Sequence, residues 1–156
     1  MRIGICQPVV PHYRVPVFNL LGRQPGIELT VYADTQSADL ETVEGAEHFR
    51  FVDAPVHEKR IGPIVLREQS AQVEAATRER HDLLILPWDV HYRTLRPAMQ
   101  RGRKEGVPVV LWGHGYSKRP GRIRDALRLR AGRRASAVIL YTQAVASRLI
   151  ATAGFD

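Results

Sequence analysis

The chain has 156 residues, of which 44% are hydrophobic and 25% are charged, a length and composition typical of a single globular domain. Its one cysteine, Cys6, excludes a disulfide framework and a multi-cysteine metal site, and it indicates a reducing compartment. No apolar run approaches the roughly 18 residues of a membrane-spanning helix, and the N-terminal apolar stretch is too short for a secretory signal. We therefore expect a cytoplasmic protein, and its scattered histidines and acids predict no metal site.

The positive charge is concentrated in one segment. Lysine and arginine number 23 against 16 acidic residues, which gives a net charge of +7. Eight basic residues lie between positions 118 and 134, where Asp125 is the single acid. They are Lys118, Arg119, Arg122, Arg124, Arg128, Arg130, Arg133 and Arg134. The rest of the chain is electrically balanced, so nucleic-acid binding through a uniformly basic face is disfavoured.

The first half of the chain contains short apolar segments separated by Pro and Gly. Alternating or β-branched patterns predict strands, and apolar residues at helical spacing predict helices. The predicted strands are 2–7, 27–33 and 48–54; the predicted helices are 14–24 and 66–80. Residues 34–47 hold five acids and no base, which predicts a long surface loop and a candidate lid. Residues 55–63 are interrupted by Pro and Gly and predict irregular structure.

The second half alternates strands and helices more regularly. Continuous apolar runs predict strands at 82–87, 107–112 and 137–141, and helices follow at 94–105, 121–134 and 143–153. Such alternation predicts a Rossmann-like α/β fold in a single domain. Its sheet is expected to be doubly wound and mostly parallel, with helices on both faces.

The basic helix at 121–134 carries apolar residues at helical spacing: Ile123, Ala126, Leu127, Ala131 and Ala135. This stripe predicts packing on the sheet with the arginines outside. The arginines then form either a solvated face or a contact for an anionic membrane surface, with Arg119, Arg122, Arg124, Arg128 and Arg130 as the contact residues. The face has no aromatic platform of the kind that single-stranded nucleic acid uses.

Ligands of open parallel sheets bind where the strands end at their carboxyl side. That rule selects the loops 8–14, 88–93 and 113–120, with His12, Arg14, Asp89, Gly113, Gly115 and Tyr116 as candidate substrate-binding residues. His114 lies between two glycines. It either bonds a sugar hydroxyl or phosphate or acts in proton transfer, or it caps the next helix or bonds a loop carbonyl. The loop QPVVPHYR lacks the GxGxxG of a dinucleotide site.

Four segments resemble the N-terminal half of a GT-B fold glycosyltransferase of family four, a retaining family. They are QPVVPHYRVPVFNLL at 7–21, GIELTVY at 26–32, GVPVVLWGHG at 106–115 and SKRPGRIRDALRLRAGRRASAVILYTQAVASRLIATAGFD at 117–156. The resemblance implies that residues 1–156 are the acceptor-side domain and that the active site lies in a cleft with a C-terminal, donor-binding domain absent from this chain. It implies a nucleotide-sugar donor, a glycan or lipid-linked acceptor and no cofactor.

The same resemblance assigns residues to the cleft. His114 would lie near the transferred sugar as the catalytic histidine, and His12 and Arg14 would border the cleft; the first loop departs from the glycine pair common in that family. The basic segment would dock on the inner face of the cell membrane. The fragment alone is expected to be inactive. The alternative is a free-standing flavodoxin-like binding or regulatory module that recognises an anionic partner through its basic helix.

Overall fold

The computed structural model describes residues 1–35, 45–116 and 121–155. In these residues the strands are β1 Arg2–Cys6, β2 Glu28–Ala33, β3 Arg50–Asp53, β4 His57–Ile61, β5 Ile64–Glu68, β6 Leu83–Pro87, β7 Val109–Gly113 and β8 Ala137–Leu140. The helices are α1 Val15–Gly22, α2 Ala71–Glu74, α3 Leu95–Glu105, α4 Arg122–Gly132 and α5 Gln143–Ala153, and a single 3-10 turn at His12–Arg14 precedes α1.

Six of the strands form one parallel sheet in the order β3-β2-β1-β6-β7-β8. The central strand β1 pairs on both sides, so that Ile3 lies opposite Leu29 on one side and Leu83 on the other. This arrangement confirms the predicted Rossmann-like α/β fold. The inner strands β1, β6 and β7 are largely buried, and coverage on both faces explains their apolar runs, whereas the edge strands β3 and β8 are more exposed.

The sheet separates two apolar cores. One contains Ile5 and Val31 with Phe18 of α1. The other contains Leu84 and Leu111 with residues of α3 and α5, among them Leu95, Ala98 and Leu149. Helices therefore lie on both faces, as the apolar pattern of the strands predicts.

Glycine ends two of the helices where the sequence places the ends. Gly106 after α3 has φ +69° and Gly154 after α5 has φ +61°. Glycine adopts this left-handed conformation without the steric cost that a Cβ brings, and it allows the chain to leave the helix.

The segment between β3 and β6 differs from the prediction. Residues 55–63 were expected to be irregular and 66–80 helical, but β4 and β5 form an antiparallel hairpin and α2 spans only Ala71–Glu74. Ile61 pairs with Ile64, which leaves Gly62 and Pro63 as the loop, with Gly62 at φ +56°. A two-residue hairpin loop needs such a glycine, so the Pro and Gly that suggested irregularity make the turn.

The predicted inward stripe of α4 is confirmed only in part: Ala131 and Ala135 pack against the core, but Ile123 and Leu127 do not. Ile123 is 79% exposed and Leu127 is 53% exposed, whereas Arg128 and Gly132 are buried. A Cβ on Gly132 would lie 2.4 Å from Cζ2 of Trp88, and the Trp88 indole N–H donates to the Arg128 carbonyl oxygen at 3.0 Å. The missing side chain of Gly132 admits the indole, and that contact sets the rotation of the helix.

Candidate functional site

A group of polar and aromatic side chains meets at the carboxyl ends of β1, β7 and β8. The Arg14 guanidinium donates from Nη2 to the Tyr141 hydroxyl at 2.6 Å, and from Nη1 to Oε1 of Gln7. Its Cζ lies 4.8 Å from the centre of the Trp112 ring. The His114 and Tyr141 rings stack with centroids 4.4 Å apart and planes 28° apart. We call Gln7, Arg14, Trp112, His114 and Tyr141 the strand-end cluster.

The cluster is fixed from the core side. Phe18 is buried in the core and meets the Trp112 ring edge-on, with ring centroids 6.3 Å apart. Trp112 in turn lies beside the Arg14 guanidinium, a contact in which the ring face attracts the cation. Arg14 is thereby held by an aromatic face and two hydrogen bonds, so its position is set before any ligand arrives.

The charge of Arg14 is not neutralised within the described residues, because it forms no ion pair with an acid there. His114 is exposed and Tyr141 is 46% exposed. The edge of the sheet therefore carries an arginine with N–H groups that are not yet hydrogen-bonded, an imidazole and a phenol hydroxyl. Such groups can bind a phosphate or carboxylate and the hydroxyls of a sugar.

His12 stands apart from these contacts. Its ring is exposed and meets Tyr13 edge-on, with centroids 5.8 Å apart. It is close to Arg14 in sequence, but no contact in the described part of the chain joins it to His114. Its role in substrate binding stays a prediction.

Gly113 and Gly115 hold the loop that carries His114. A Cβ on Gly113 would lie 2.8 Å from Cβ of Trp88. Gly115 is buried with φ +74°, and its Cβ would lie 2.8 Å from Cγ1 of Val145 in α5. Both glycines therefore allow close packing that fixes His114 at the strand end. Their predicted contact with substrate stays a prediction.

Tyr116 faces α5. Its hydroxyl lies 3.4 Å from Oγ1 of Thr152, and the Arg148 guanidinium lies 4.6 Å from the centre of its ring. These contacts attach the end of the His114 loop to the last helix. Substrate contact by Tyr116 stays a prediction.

Asp89 belongs to a second group of charged side chains, formed with Glu58, Arg67 and His91. It accepts hydrogen bonds from the His91 backbone N–H at 3.0 Å and from Arg67 at 3.1 Å, and His91 Nδ1 lies 2.7 Å from Oδ1. Arg67 also donates to Glu58 at 2.6 Å. Burial alone would raise the pKa of Asp89, but the bonds from His91 and the charge of Arg67 hold it below its usual value. This network joins the β4–β5 hairpin to the end of β6.

The structure thus brings Arg14 and His114 together through Tyr141, whereas Asp89 lies in a separate network. Gln7, Trp112 and Tyr141 were not among the predicted site residues. Tyr141 ends the predicted strand 137–141, so the strand-end rule that selected His114 would have found it if applied to β8 as well.

The arginines predicted to contact an anionic surface differ in accessibility. Arg122 and Arg130 are exposed, and Arg124 is half-buried. Arg128 is buried, so it is not available for the predicted contact, because Gly132 and Trp88 turn that side of α4 toward the sheet. Arg119 lies outside the described residues, as do 36–44 of the predicted acidic loop.

Within residues 1–35, 45–116 and 121–155, no helix has the length and apolarity needed to cross a bilayer. In the same ranges no three histidine, cysteine or acidic side chains come together as metal ligands.

Comparison with solved structures shows the fold. The chain is similar along its whole length to UDP-GlcNAc 2-epimerase from Methanocaldococcus jannaschii, with a TM-score of 0.58 and 10% identity, and it spans 43% of that chain. It is also similar to a dodecameric FMN-dependent UbiX-like decarboxylase from Escherichia coli O157:H7, with a TM-score of 0.51 and 14% identity over 95% of that chain. No protein-family model and no curated protein sequence matches it.

Proposed function

We propose that this chain forms one wall of the active-site cleft of an enzyme that acts on a nucleotide-sugar. The observation that carries the proposal is the strand-end cluster, in which an unneutralised arginine and an exposed histidine are joined by one tyrosine. In its finer form, the chain is the acceptor-side half of a retaining glycosyltransferase; a second domain holds most of the donor, and this chain contacts the donor's diphosphate and sugar from the facing wall. The similarity to a UDP-GlcNAc 2-epimerase, of which this chain spans 43%, supports a nucleotide-sugar as ligand.

The cluster suits the charge changes of sugar transfer. When the bond between the anomeric carbon and the diphosphate breaks, negative charge grows on the departing oxygen, and a fixed cation nearby stabilises it. Arg14 is such a cation, held in place by Trp112 and Tyr141. His114 would bond a hydroxyl of the transferred sugar and orient it, with its ring held by the stack on Tyr141.

Binding to the isolated chain tests the site. UDP-GlcNAc is titrated into the 156-residue chain while the indole, imidazole and amide resonances are followed by NMR. We expect shifts at Trp112, His114 and Tyr141. Loss of the Arg14 charge in Arg14→Gln should weaken binding about tenfold or more, since a charge-assisted hydrogen bond is worth about 1.5–3 kcal/mol.

Lys104→Gln is the control for loss of one positive charge, because Lys104 is exposed in the last turn of α3, outside the three strand-end loops, and no contact in the described residues joins it to the strand-end cluster. An equal loss in both variants, or shifts confined to other parts of the chain, would remove the cluster from the site.

Turnover tests the finer form of the proposal. Transfer requires donor and acceptor to be held together between two walls, so the isolated chain mixed with UDP-GlcNAc and sugar acceptors should release no UDP. Measurable transfer by these 156 residues alone would contradict the two-domain proposal while leaving the binding site intact.

A second candidate is a free-standing flavodoxin-like module that binds an anionic surface through α4. One argument for this candidate is the similarity to the FMN-dependent decarboxylase, because the match extends over 95% of that chain. Another is that the apolar side chains of Ile123 and Leu127 are exposed on the same helix as the exposed Arg122 and Arg130. This candidate predicts sedimentation with phosphatidylglycerol vesicles and not with phosphatidylcholine vesicles, and a loss of that binding in Ile123→Asp. Absence of binding to anionic vesicles would reject it.

A further inference from the structure

A cavity of about 490 Å³ lies between α3 and α4. Each helix contributes side chains that are about one helical turn apart. These are Arg96, Met99 and Arg103 on α3, and Leu127, Arg130 and Arg134 on or just after α4. None of its lining residues belongs to the strand-end cluster or to the network around Asp89. The cavity is therefore separate from the proposed active site.

The rim of the cavity is positively charged. Arg96, Arg103, Arg130 and Arg134 line it, all four are exposed, and no acidic residue is among the lining residues. None of the four forms an ion pair with an acid in the described residues. Like charges around one hollow raise the local potential and attract an anion.

The inner part of the cavity is apolar. Tyr92 and Leu95 contribute to its lining, and each is only 3% exposed. Met99 is half-buried, and Leu127 faces the cavity from the other helix. A ligand with charge but no apolar part would not cover the apolar lining of the cavity. A ligand with an apolar part but no charge would form no ion pair with the arginines at its rim.

We propose that the cavity binds a small anionic amphiphile, a molecule in which a phosphate or carboxylate is joined to a short apolar chain. The apolar chain lies against Leu95, Met99 and Leu127, and the anionic group meets the arginines at the rim. The volume falls within the roughly 300–1,000 Å³ of small-molecule sites. The ligand enters as a single dissolved molecule, and the inference does not depend on the proposed function.

Calorimetric titration with octyl phosphate, kept below the concentration at which it forms micelles, tests the proposal. Two control ligands are titrated in the same way: inorganic phosphate, which has the negative charge without the alkyl chain, and 1-octanol, which has the alkyl chain without the charge. We expect octyl phosphate to bind at least tenfold more tightly than either. Equal affinity for inorganic phosphate, or binding that begins only when micelles form, would overturn the proposal.

Paired variants locate the binding. Arg96→Gln with Arg130→Gln removes one rim charge from each helix and should weaken octyl phosphate at least tenfold. Lys104→Gln with Arg122→Gln removes the same net charge from the same helices at exposed positions outside the cavity, and it should change the affinity less than twofold. Equal losses in the two double variants would show attraction by net charge alone and would refute the site.

One further variant separates the apolar contact from the ionic one. Leu127→Asn keeps every charge, and since Leu127 is half-exposed the helix should fold as before, which circular dichroism checks. Octyl phosphate should bind several-fold more weakly, with the affinity for inorganic phosphate unchanged. An unchanged affinity for octyl phosphate would remove the apolar wall from the proposal.

Discussion

Replacing Gly132 with alanine tests the rotation of α4 about its axis, which decides which of its residues face the sheet and which face solvent. The new Cβ would lie 2.4 Å from Cζ2 of Trp88 and 2.7 Å from Cζ of Phe155, well inside the roughly 3.5 Å at which carbon atoms pack. Overpacking of this kind costs about 1–3 kcal/mol, and alanine returns at most about 1 kcal/mol of helix propensity. Contacts this short place the cost near the upper end of its range, so we expect a net loss of about 2 kcal/mol.

Urea and thermal unfolding, followed by tryptophan fluorescence and circular dichroism, measure this loss. In a domain of this size each kcal/mol lowers Tm by roughly 2–4 °C. If Ile123 and Leu127 packed on the sheet instead, Gly132 would face solvent and alanine would stabilise the protein. A higher Tm for Gly132→Ala would therefore refute the reasoning.

Ile123→Ala is the matched control on the opposite side of the helix. Ile123 is 79% exposed, so truncating it should change the free energy of unfolding by no more than about 0.5 kcal/mol. A buried isoleucine would cost about 2–5 kcal/mol instead, so a loss of that size would show that Ile123 faces the sheet.

Two further predictions concern buried polar groups. His81 is buried beside Tyr32, and burial, with the nearby charges of Arg2 and Arg80, lowers its pKa. Below about pH 6.5 the histidine of the unfolded chain takes up a proton more readily than that of the folded chain, so the free energy of unfolding should fall as pH drops below that value. The variant His81→Gln should lose this part of the pH dependence of urea unfolding. An identical pH dependence in both proteins would contradict the prediction. Gln69 is fully buried and donates to the carbonyl oxygens of Gln7 and Ala54 at 3.0 and 3.1 Å. Because Gln69→Leu deprives both oxygens of this donor, it should cost about 2–4 kcal/mol in urea unfolding, and a change below about 0.5 kcal/mol would show that the amide is dispensable.

The positions along the chain of the six sheet strands and of α1, α3, α4 and α5 could be predicted because their signals are local. The inner strands β6 and β7 are short apolar runs, whereas β2 and β3 were recognised by their alternation of apolar and polar residues. Gly106 and Gly154 mark the ends of α3 and α5 through a conformation that glycine alone adopts easily.

The β4–β5 hairpin was missed because its strands are largely exposed. His57–Ile61 has no buried residue, so the residues show no burial pattern from which a strand could be recognised. Its pairing is decided by the Gly62–Pro63 turn and by the link from Arg67 to Asp89 across 22 positions of sequence. Local propensity in 66–80 favours a helix, but residues 66–68 pair with β4 and only Ala71–Glu74 is helical.

By itself, the sequence determined the α/β class, the parallel sheet and the strand-end position of Arg14 and His114, because strand and helix periods and glycine stops act over a few residues. Only the tertiary structure decided that Tyr141 joins these two side chains, and that Arg128 rather than Leu127 turns inward. Both outcomes depend on contacts between distant segments, Arg14 with Tyr141 and Trp88 with Gly132. In α4 the close fit of an indole against a glycine outweighs the apolar stripe, because space for a large ring is available only where a side chain is missing.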